Sequence, residues 1–457
     1  MSQVAQNVVA TGGFAGVPGH RRRMVTFLTI WFGQTVSIIG SGLSGFALAV
    51  WVYQRTGSAT KFSLIVLSTV TPGILLSPLL GVIVDRYSRR RIMILSNVVA
   101  GVCTVVMAAL YMKGNLQLWH ICALMLVISI SSSLLAPSYT ASISTILPKE
   151  YLGRASGMGQ LSAASADMVA PLLAGFLIAG IHINGILVID FATYLFAVLT
   201  LCIVQFPEVP RGSSPAVKLS VFGDLAAGVR YLTARPGLLA LIGFFTVTNF
   251  LLGMDNVLMP PLVMSFAGAK VYGIIAAVGG TGFLLGSLTM SAWGGPKRRI
   301  LGVYLYGLVM SLSLTLESLR PNPWIIATGV FLIALATPIA NGCAVPVVQI
   351  KTEPAFQGRV FATMRFLAGW GVPISYLFAG ALADKVFEPL MARNEFFRNS
   401  FGQILGTGPG RGTALLVLTL GMLAFLFTLR SLFYRPLLKV ESEIEDAIGA
   451  PLQTASE

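Results

Sequence analysis

A short charged turn separates two long apolar runs near the start of the chain. It reads Gly81-Val82-Ile83-Val84-Asp85-Arg86-Tyr87-Ser88-Arg89-Arg90. An α-helix needs about 20 apolar residues to cross a bilayer core of about 30 Å, and each flanking run reaches that length without alternating polar residues. Basic clusters between such runs are typical of membrane proteins, in which they set the direction of insertion.

The composition extends this interpretation to the whole chain. Of 457 residues, 55% are apolar and 11% are charged, and the mean hydropathy is +0.81. Soluble domains carry about 25% charged residues, and disordered chains are poor in apolar ones, so both classes are excluded. We therefore predict an all-α membrane protein with twelve transmembrane helices. Its apolar runs begin near Val25, Phe62, Ile92, Leu118, Ala155, Gly185, Leu238, Val271, Ile300, Trp324, Val360 and Thr413.

The basic residues predict the orientation. With the N-terminus in the cytoplasm, the cytoplasmic segments hold 21 Lys and Arg, the other side holds 9, and Arg365 lies within a span. This bias places both termini in the cytoplasm, and we expect the protein to span a bacterial-type cytoplasmic (inner) membrane several times. The net charge of +14 is divided among short clusters, which argues against nucleic acid as a partner.

The two halves of the chain echo each other at an offset of 205 residues. Gly153-Arg154 recurs as Gly358-Arg359, and Ala174-Gly175 recurs as Ala379-Gly380. Repeated membrane halves are the architecture of secondary transporters. We predict two pseudo-symmetric six-helix bundles joined by a cytoplasmic linker and flanked by solvated cytoplasmic tails. The bundles are residues 25–205 and 238–434, the linker is 206–237, and the tails are 1–24 and 435–457.

The turn at residues 81–90 resembles the G-x-x-x-D-R-x-G-R-R signature of the major facilitator superfamily, with Ser88 where the family usually has Gly. The resemblance implies the fold just described. It also implies a cytoplasmic latch, because Asp85 could meet the positive N-terminal end of the eleventh helix. The candidate latch residues are Gly81, Asp85, Arg86, Arg89, Arg90, Arg359 and Arg365.

The fifth span carries a second motif, with the spacing G-x8-G-x3-G-P-x2-G-G. Its members are Gly157, Ala166, Ala170, Pro171, Ala174 and Gly175. This resembles the antiporter signature of drug:proton exporters in the same superfamily, with Ala for Gly at three places, and implies close helix packing. Other stretches, such as Thr56-Gly57-Ser58-Ala59, resemble the macrolide efflux and enterobactin exporter branch. The Arg that many such antiporters carry in the fourth span is missing between Leu124 and Leu135.

Acidic residues inside the spans are functional candidates, because charge is costly in a bilayer. A carboxyl group in a low-dielectric cavity can bind a proton from one face and release it at the other. We predict proton coupling first at Asp167, near the middle of the fifth span, then at Asp255 and then at Asp190. Glu317 and Asp384 are expected at the outer interface, in contact with water.

The neutral polar and aromatic residues of the spans are candidates for the wall of a substrate cavity. The members of this set are Trp31, Gln34, Asn249, Asn256, Asn341, Trp370 and Tyr376.

These features favour a secondary active exporter that moves an amphipathic small molecule by alternating access in exchange for protons. The sequence has no phosphate-binding loop, metal-ligand spacing or nucleophile constellation, so we predict no enzyme and no cofactor. The expected partners are the substrate, protons and the lipid bilayer, and we expect a monomer. Drug or antibiotic efflux and siderophore export remain open. So do an uptake symporter, a lysolipid flippase and, from another class, a membrane sensor or embedded enzyme.

Overall fold

The computed structural model describes residues 20–147, 149–204 and 221–443. Within these ranges the chain forms eighteen α-helices and one π-helical segment. Twelve helices of the described residues are long and apolar enough to cross a membrane. The prediction of an all-α protein with twelve spans is confirmed.

The first six helices form one bundle. They are α1 (His20–Thr56), α2 (Ala59–Arg86), α3 (Arg89–Met112), α4 (Leu118–Ile146), α5 (Lys149–Gly180) and α6 (His182–Ile203). The turns between them follow from the sequence. Gly57 takes a φ of 61° directly after α1, a left-handed conformation that glycine adopts without strain. The Ser58 hydroxyl then accepts a hydrogen bond from the Lys61 amide at 3.2 Å and caps the start of α2.

The second bundle follows a linker helix, α7 (Val221–Thr233). Its spans are α8 (Pro236–Met264), α9 (Ala269–Trp293), α10 (Arg299–Ser318), α11 (Pro323–Ile350), α12 (Pro354–Leu382) and α16 (Arg411–Leu432). The π-helical segment Ala383–Phe387, α13 (Glu388–Arg393), α14 (Glu395–Ser400) and α15 (Gly402–Leu405) lie between α12 and α16. The described chain ends in α17 (Arg435–Leu438) and α18 (Val440–Glu443). Proline opens α8, α11 and α12, where a helix has no intrahelical partner for the missing N–H.

The two bundles pair their helices in the same way. In the first bundle α1 packs on α5 and α6, α4 packs on α2 and α3, and α3 packs on α6. In the second bundle α8 packs on α12 and α16, α11 packs on α9 and α10, and α10 packs on α16. The matching set of neighbours is the pseudo-symmetry expected from the repeated sequence.

Among the side chains that the structure describes, buried apolar groups join the bundles at one end, whereas at the other end they form separate clusters. We call the end that holds His20 and Glu443 the terminal face, and the other end the opposite face. Toward the opposite face, one cluster combines residues of both bundles, among them Leu48, Ala174, Leu258 and Ala379. Toward the terminal face the clusters are separate. Phe27, Met93 and Leu201 belong to the first bundle, whereas Leu238, Ile300 and Val347 belong to the second.

The linker helix and the end of the chain both rest on the second bundle. The ring of Tyr231 in α7 stacks on Phe356 of α12 at 5.1 Å, and Arg235 pairs with Glu353 at 3.0 Å. Leu437 and Val440 are buried. Of the predicted solvated tail, α17 and α18 thus bury these two apolar side chains against the second bundle, whereas Leu438, Lys439 and Ser442 are exposed.

Candidate functional site

Two related glycine contacts hold the bundles together at the opposite face. A Cβ at Gly175 of α5 would lie 2.7 Å from the carbonyl oxygen of Ala269, at the start of α9. A Cβ at Gly380 of α12 would lie 2.8 Å from the carbonyl oxygen of Ala59, at the start of α2. Gly175 and Gly380 are partners in the sequence repeat, so the same backbone contact occurs once in each direction across the interface.

The α5–α9 contact continues from the opposite face toward the middle of the spans. A Cβ at Gly273 would lie 2.7 Å from the carbonyl oxygen of Pro171, and one at Gly280 would lie 2.5 Å from Cγ of Met168. Nearer the terminal face, a Cβ at Gly157 would have no described neighbouring atom within 4 Å. Among the described glycines, the close approach of α5 to α9 thus lies in the part nearer the opposite face.

A carboxylate adds polar contacts to the α2–α12 side. One Asp384 oxygen accepts hydrogen bonds from the Ser58 hydroxyl at 2.6 Å and the Thr60 amide at 2.9 Å, and the other accepts from the Ala59 amide at 3.0 Å. An anion at a helix N-terminus is favourable because the free amides there carry partial positive charge. Asp384 lies at the opposite face as expected, but it is half-buried and ties the second bundle to the first.

Aromatic side chains close the remaining space between the bundles. Phe46 of α1 stacks on Tyr272 of α9 with ring centroids 5.3 Å apart and planes inclined by 11°. Lys270 places its ammonium 4.8 Å from the ring centre of Phe176. We use the term gate for these contacts together with those of Gly175, Gly273, Gly380 and Asp384. In this structure the gate is closed.

The first bundle buries a carboxyl group in a set of hydroxyls. Asp190 of α6 is 1% exposed, and one of its oxygens accepts hydrogen bonds from Ser44 at 2.6 Å and Thr104 at 3.2 Å. One turn along α6, the Tyr194 hydroxyl accepts a hydrogen bond from Ser41 at 2.8 Å. These groups lie between α1, α3 and α6, so Asp190 is held within one bundle; its other oxygen, Oδ1, has no hydrogen-bond partner among the described residues.

The second bundle buries two carboxyl groups against each other. Asp255 of α8 is 8% exposed and Glu317 of α10 is 1% exposed, and their side chains interact directly. The prediction that Glu317 contacts water is wrong. It is the second-last residue of α10, a position that suggests an interface. The packing of α11 over the end of α10 covers it. Sequence reasoning missed this partner of Asp255.

The structure describes only part of the predicted latch. The side chains of Asp85 and Arg86 and the surroundings of Gly81 are not among the described parts of the structure. The same holds for the side chain of Asp167. The guanidinium of Arg90 donates to the carbonyl oxygens of Leu201 and Cys202 at 3.0 and 2.8 Å.

Arg90 thus caps the C-terminal end of α6, where a cation is favourable. Arg89 is half-buried at the start of α3, and Arg359 and Arg365 are exposed on α12.

The small residues of the fifth-span motif face two helices. Ala166, Ala170 and Ala174 are buried, and a Cβ at Gly42 of α1 would lie 2.9 Å from the Cβ of Ala170. Pro171 and Gly175 lie against α9, whereas Gly157 is exposed.

The candidate cavity residues divide by burial. Gln34 and Tyr376 are buried, and the Gln34 amide has no hydrogen-bond partner among the described residues. Trp31 donates from Nε1 to the Met158 carbonyl at 2.9 Å. Asn249 is half-buried and donates a hydrogen bond to the Ala368 carbonyl at 3.3 Å. Asn256, Asn341 and Trp370 are exposed.

Comparison with known proteins identifies a matching family model and related sequences. Residues 30–376 match the family model described as Major Facilitator Superfamily. Macrolide efflux protein A of Streptococcus pyogenes is 27% identical over 364 residues, covering 79% of this chain and 90% of the relative. Enterobactin exporter EntS of Shigella flexneri is 26% identical over 342 residues, covering 73% of this chain and 79% of the relative.

Solved structures share the fold. A bacterial homologue of the human lysosomal transporter Spinster, in an inward-facing and unoccupied conformation, superposes with a TM-score of 0.68 at 16% identity. The match covers 93% of this chain and 99% of that one. A point mutant of the nucleoside transporter NupG also superposes with a TM-score of 0.68, at 12% identity, covering 89% and 99% of the two chains.

Replacing Gly273 with valine is expected to open the gate. The new Cβ would meet a backbone carbonyl at 2.7 Å, which cannot move aside without separating α5 from α9. Hydrogen–deuterium exchange should accelerate in the first turns of α2 and α9. The matched control is Gly157→Val, since a Cβ there meets no described atom within 4 Å. Unchanged exchange in the Gly273 variant would show that this contact does not hold the gate.

Replacing Asp384 with alanine is expected to shift the protein toward an open gate. Hydrogen bonds to a charged group contribute about 1.5–3 kcal/mol each, so the net loss of even one of the three should raise the open-to-closed ratio by at least about tenfold. Double electron–electron resonance between spin labels at Lys113 and Arg320, two exposed positions at the opposite face, measures this ratio. Glu395→Ala removes an exposed carboxylate of the same face and serves as control. Equal ratios in the two variants would contradict the assignment.

Proposed function

Because the chain belongs to the major facilitator superfamily, we propose that it is a secondary active exporter that works by alternating access. It binds an amphipathic small molecule between the bundles from the terminal face and releases it at the opposite face. Inward movement of protons supplies the energy. The terminal face is the cytoplasmic one in this proposal, in line with the 21 basic residues assigned to that side.

The uneven joining of the bundles is the observation that carries the proposal. One apolar cluster spans both bundles at the opposite face, whereas toward the terminal face the described residues of each bundle form a cluster of their own. Two rigid bodies in contact at one end can exchange that contact for one at the other end by rocking. The gate contacts suit such an exchange, because they consist of glycine-mediated backbone approaches, one ring stack, one ammonium–ring contact and a few hydrogen bonds.

The latch predicted at residues 81–90 is the counterpart of the gate. In the outward-open state we expect Asp85 to approach the start of α12, where Arg359 lies, and to hold the cytoplasmic side closed. Arg86, Arg89 and Arg90 would stabilise the same region through carboxylates or lipid phosphates. The gate would then be closed when the cytoplasmic side is open, and the latch would be closed when the opposite face is open.

The names of the relatives support an amphipathic organic substrate. One relative is named a macrolide efflux protein and another an enterobactin exporter. We propose a drug-like or siderophore-like molecule, held by the polar and aromatic side chains of α1, α8, α11 and α12. Asp167 and Asp255 are our candidates for carrying the proton. The hydroxyl network around Asp190 favours a structural role for that residue, which ranks third.

Transport by the purified protein in proteoliposomes tests this proposal. With an imposed inward-directed proton gradient, at least one of a macrolide, a cationic dye and a catecholate siderophore should move against the direction of the protons. Collapsing the gradient with a protonophore should reduce efflux of the preloaded compound to that of protein-free liposomes, because no other energy source is present.

The direction of flux separates the exporter from its rivals. Movement of substrate together with protons would indicate an uptake symporter. Transfer of a labelled lysolipid between leaflets, without flux of the soluble compounds, would indicate a flippase. Either result would overturn the export proposal, and so would substrate flux that ignores the protonophore.

A further inference from the structure

A groove of about 590 Å³ lies on the side of the second bundle, between α10 and α16. Both helices also pack on other members of that bundle, α10 on α11 and α16 on α8. Large apolar side chains border the groove, and three of them, Leu312, Met422 and Leu426, are each more than half exposed. Exposed apolar surface on membrane spans faces lipid, so the groove opens toward the acyl chains of the bilayer.

A glycine sets the depth of the groove. A Cβ at Gly421 of α16 would lie 2.8 Å from Oγ1 of Thr315 and 3.2 Å from the carbonyl oxygen of Ser311, so the two helices touch along the floor. The larger side chains of Leu308 on α10 and Phe425 on α16 belong to the two walls. A narrow channel between apolar walls suits an extended alkyl chain, which gains dispersion contacts on both sides.

The hydroxyl groups in the groove already have acceptors. Ser311 donates to the Leu308 carbonyl at 2.8 Å, and Thr315 donates to the Ser311 carbonyl at 2.8 Å. These donors bond to the backbone of their own helix, and the other lining residues are Leu, Met, Phe and Gly. The lining therefore favours a hydrocarbon chain over a polar solute, which would lose its hydrogen bonds to water there.

Basic side chains lie where the groove approaches the terminal face. Arg430 is one turn beyond Leu426 on the same side of α16, and Arg298 directly precedes α10. Both are exposed, and neither is ion-paired with another described residue. The carboxylate of Glu441 instead accepts a hydrogen bond from the Arg299 amide at 2.7 Å.

Arginine at this depth is suited to a lipid headgroup. Its stem packs on apolar surface while the guanidinium reaches the polar edge of the bilayer. There it can bind a phosphate through two parallel hydrogen bonds. The positive charge at the end of the groove therefore complements an anionic phospholipid, whose acyl chain fits the apolar part.

The matching helix pair of the first bundle is filled by an aromatic side chain. In the contact between α3 and α6, a Cβ at Gly101 would lie 3.6 Å from Cδ2 of Phe191 and 3.5 Å from Cβ of Tyr194. The Phe191 ring thus occupies space beside the glycine that a lipid chain would otherwise take. The pseudo-symmetric halves differ at this place, so α6 offers control positions for the groove.

We propose that the groove between α10 and α16 binds an acyl chain of an anionic phospholipid, and that Arg430 and Arg298 hold the phosphate of that lipid. The site goes beyond the proposed function and does not depend on it. Neither helix contributes a residue to the gate or to the candidate substrate cavity.

Photolabelling in nanodiscs tests the choice of headgroup. Phosphatidylglycerol and phosphatidylethanolamine carry a diazirine on the same acyl chain, and adducts on α10 and α16 are counted by peptide mass spectrometry. The phosphatidylglycerol probe should label the wild-type helices about fivefold more or better, since each basic residue near the headgroups contributes about that factor. Arg430→Gln should lower this preference by about fivefold.

The control for charge is Arg320→Gln, at the other end of α10 and exposed, which should keep the wild-type preference. Equal labelling by the two probes in the wild-type protein would overturn the headgroup assignment. So would a preference that survives Arg430→Gln and Arg298→Gln together.

Filling the groove tests the position of the acyl chain. Leu312→Trp should abolish the labelling of α10 and α16, because the indole occupies the space of the chain. The matched control is Leu195→Trp, at an exposed leucine of α6, which should leave that labelling unchanged. Leu426→Trp fills the groove from the other wall and carries the test should Leu312→Trp fail to fold.

Two results would overturn the lipid site. Labelling that persists in the folded tryptophan variants would show that only bulk lipid contacts this surface. Crosslinks between two copies of the chain through α10 or α16, in place of lipid adducts, would assign the groove to a second copy.

Discussion

Backbone-to-backbone approach at glycine is the constraint on which the closed gate depends. Where Gly175 crosses the start of α9 and Gly380 crosses the start of α2, any larger side chain would collide with a carbonyl oxygen. Glycine interfaces of this kind gain dispersion energy from close contact without interlocking side chains. Such contacts can separate and re-form without unlocking side chains, and the apolar cluster shared by the bundles at this face separates with them. Because of the sequence repeat, the glycine contact occurs twice, at Gly175 and at Gly380. Both contacts separate together when one bundle rocks on the other.

Buried acids have different partners in the two bundles. In the first bundle one Asp190 oxygen accepts from two hydroxyls, whereas Oδ1 has no hydrogen-bond partner among the described residues. In the second bundle Glu317 lies beside Asp255, and three of their four carboxyl oxygens lack a described hydrogen-bond partner. Both bundles therefore bury carboxyl groups with incomplete hydrogen bonding, which is costly within a membrane span.

Much of this architecture could be predicted from the sequence. Twelve apolar runs gave the spans, because a bilayer imposes a minimum helix length, and the offset of 205 residues gave the repeat. The pairing of Asp255 with Glu317 could not be predicted, since no local pattern shows which helices converge. The position of Glu317 near a helix end even suggested water contact. The same limit applies to Asp384, whose bonds to the start of α2 join residues more than 320 positions apart.

Bridging the gate tests alternating access most directly. Cysteines replacing Phe46 and Tyr272, in a variant without Cys103, Cys122, Cys202 and Cys343, can be joined by a short cleavable crosslinker. If the bundles must separate at the opposite face in each cycle, flux should stop when the bridge forms and return when it is cleaved. Unchanged flux through the bridged protein would contradict the account.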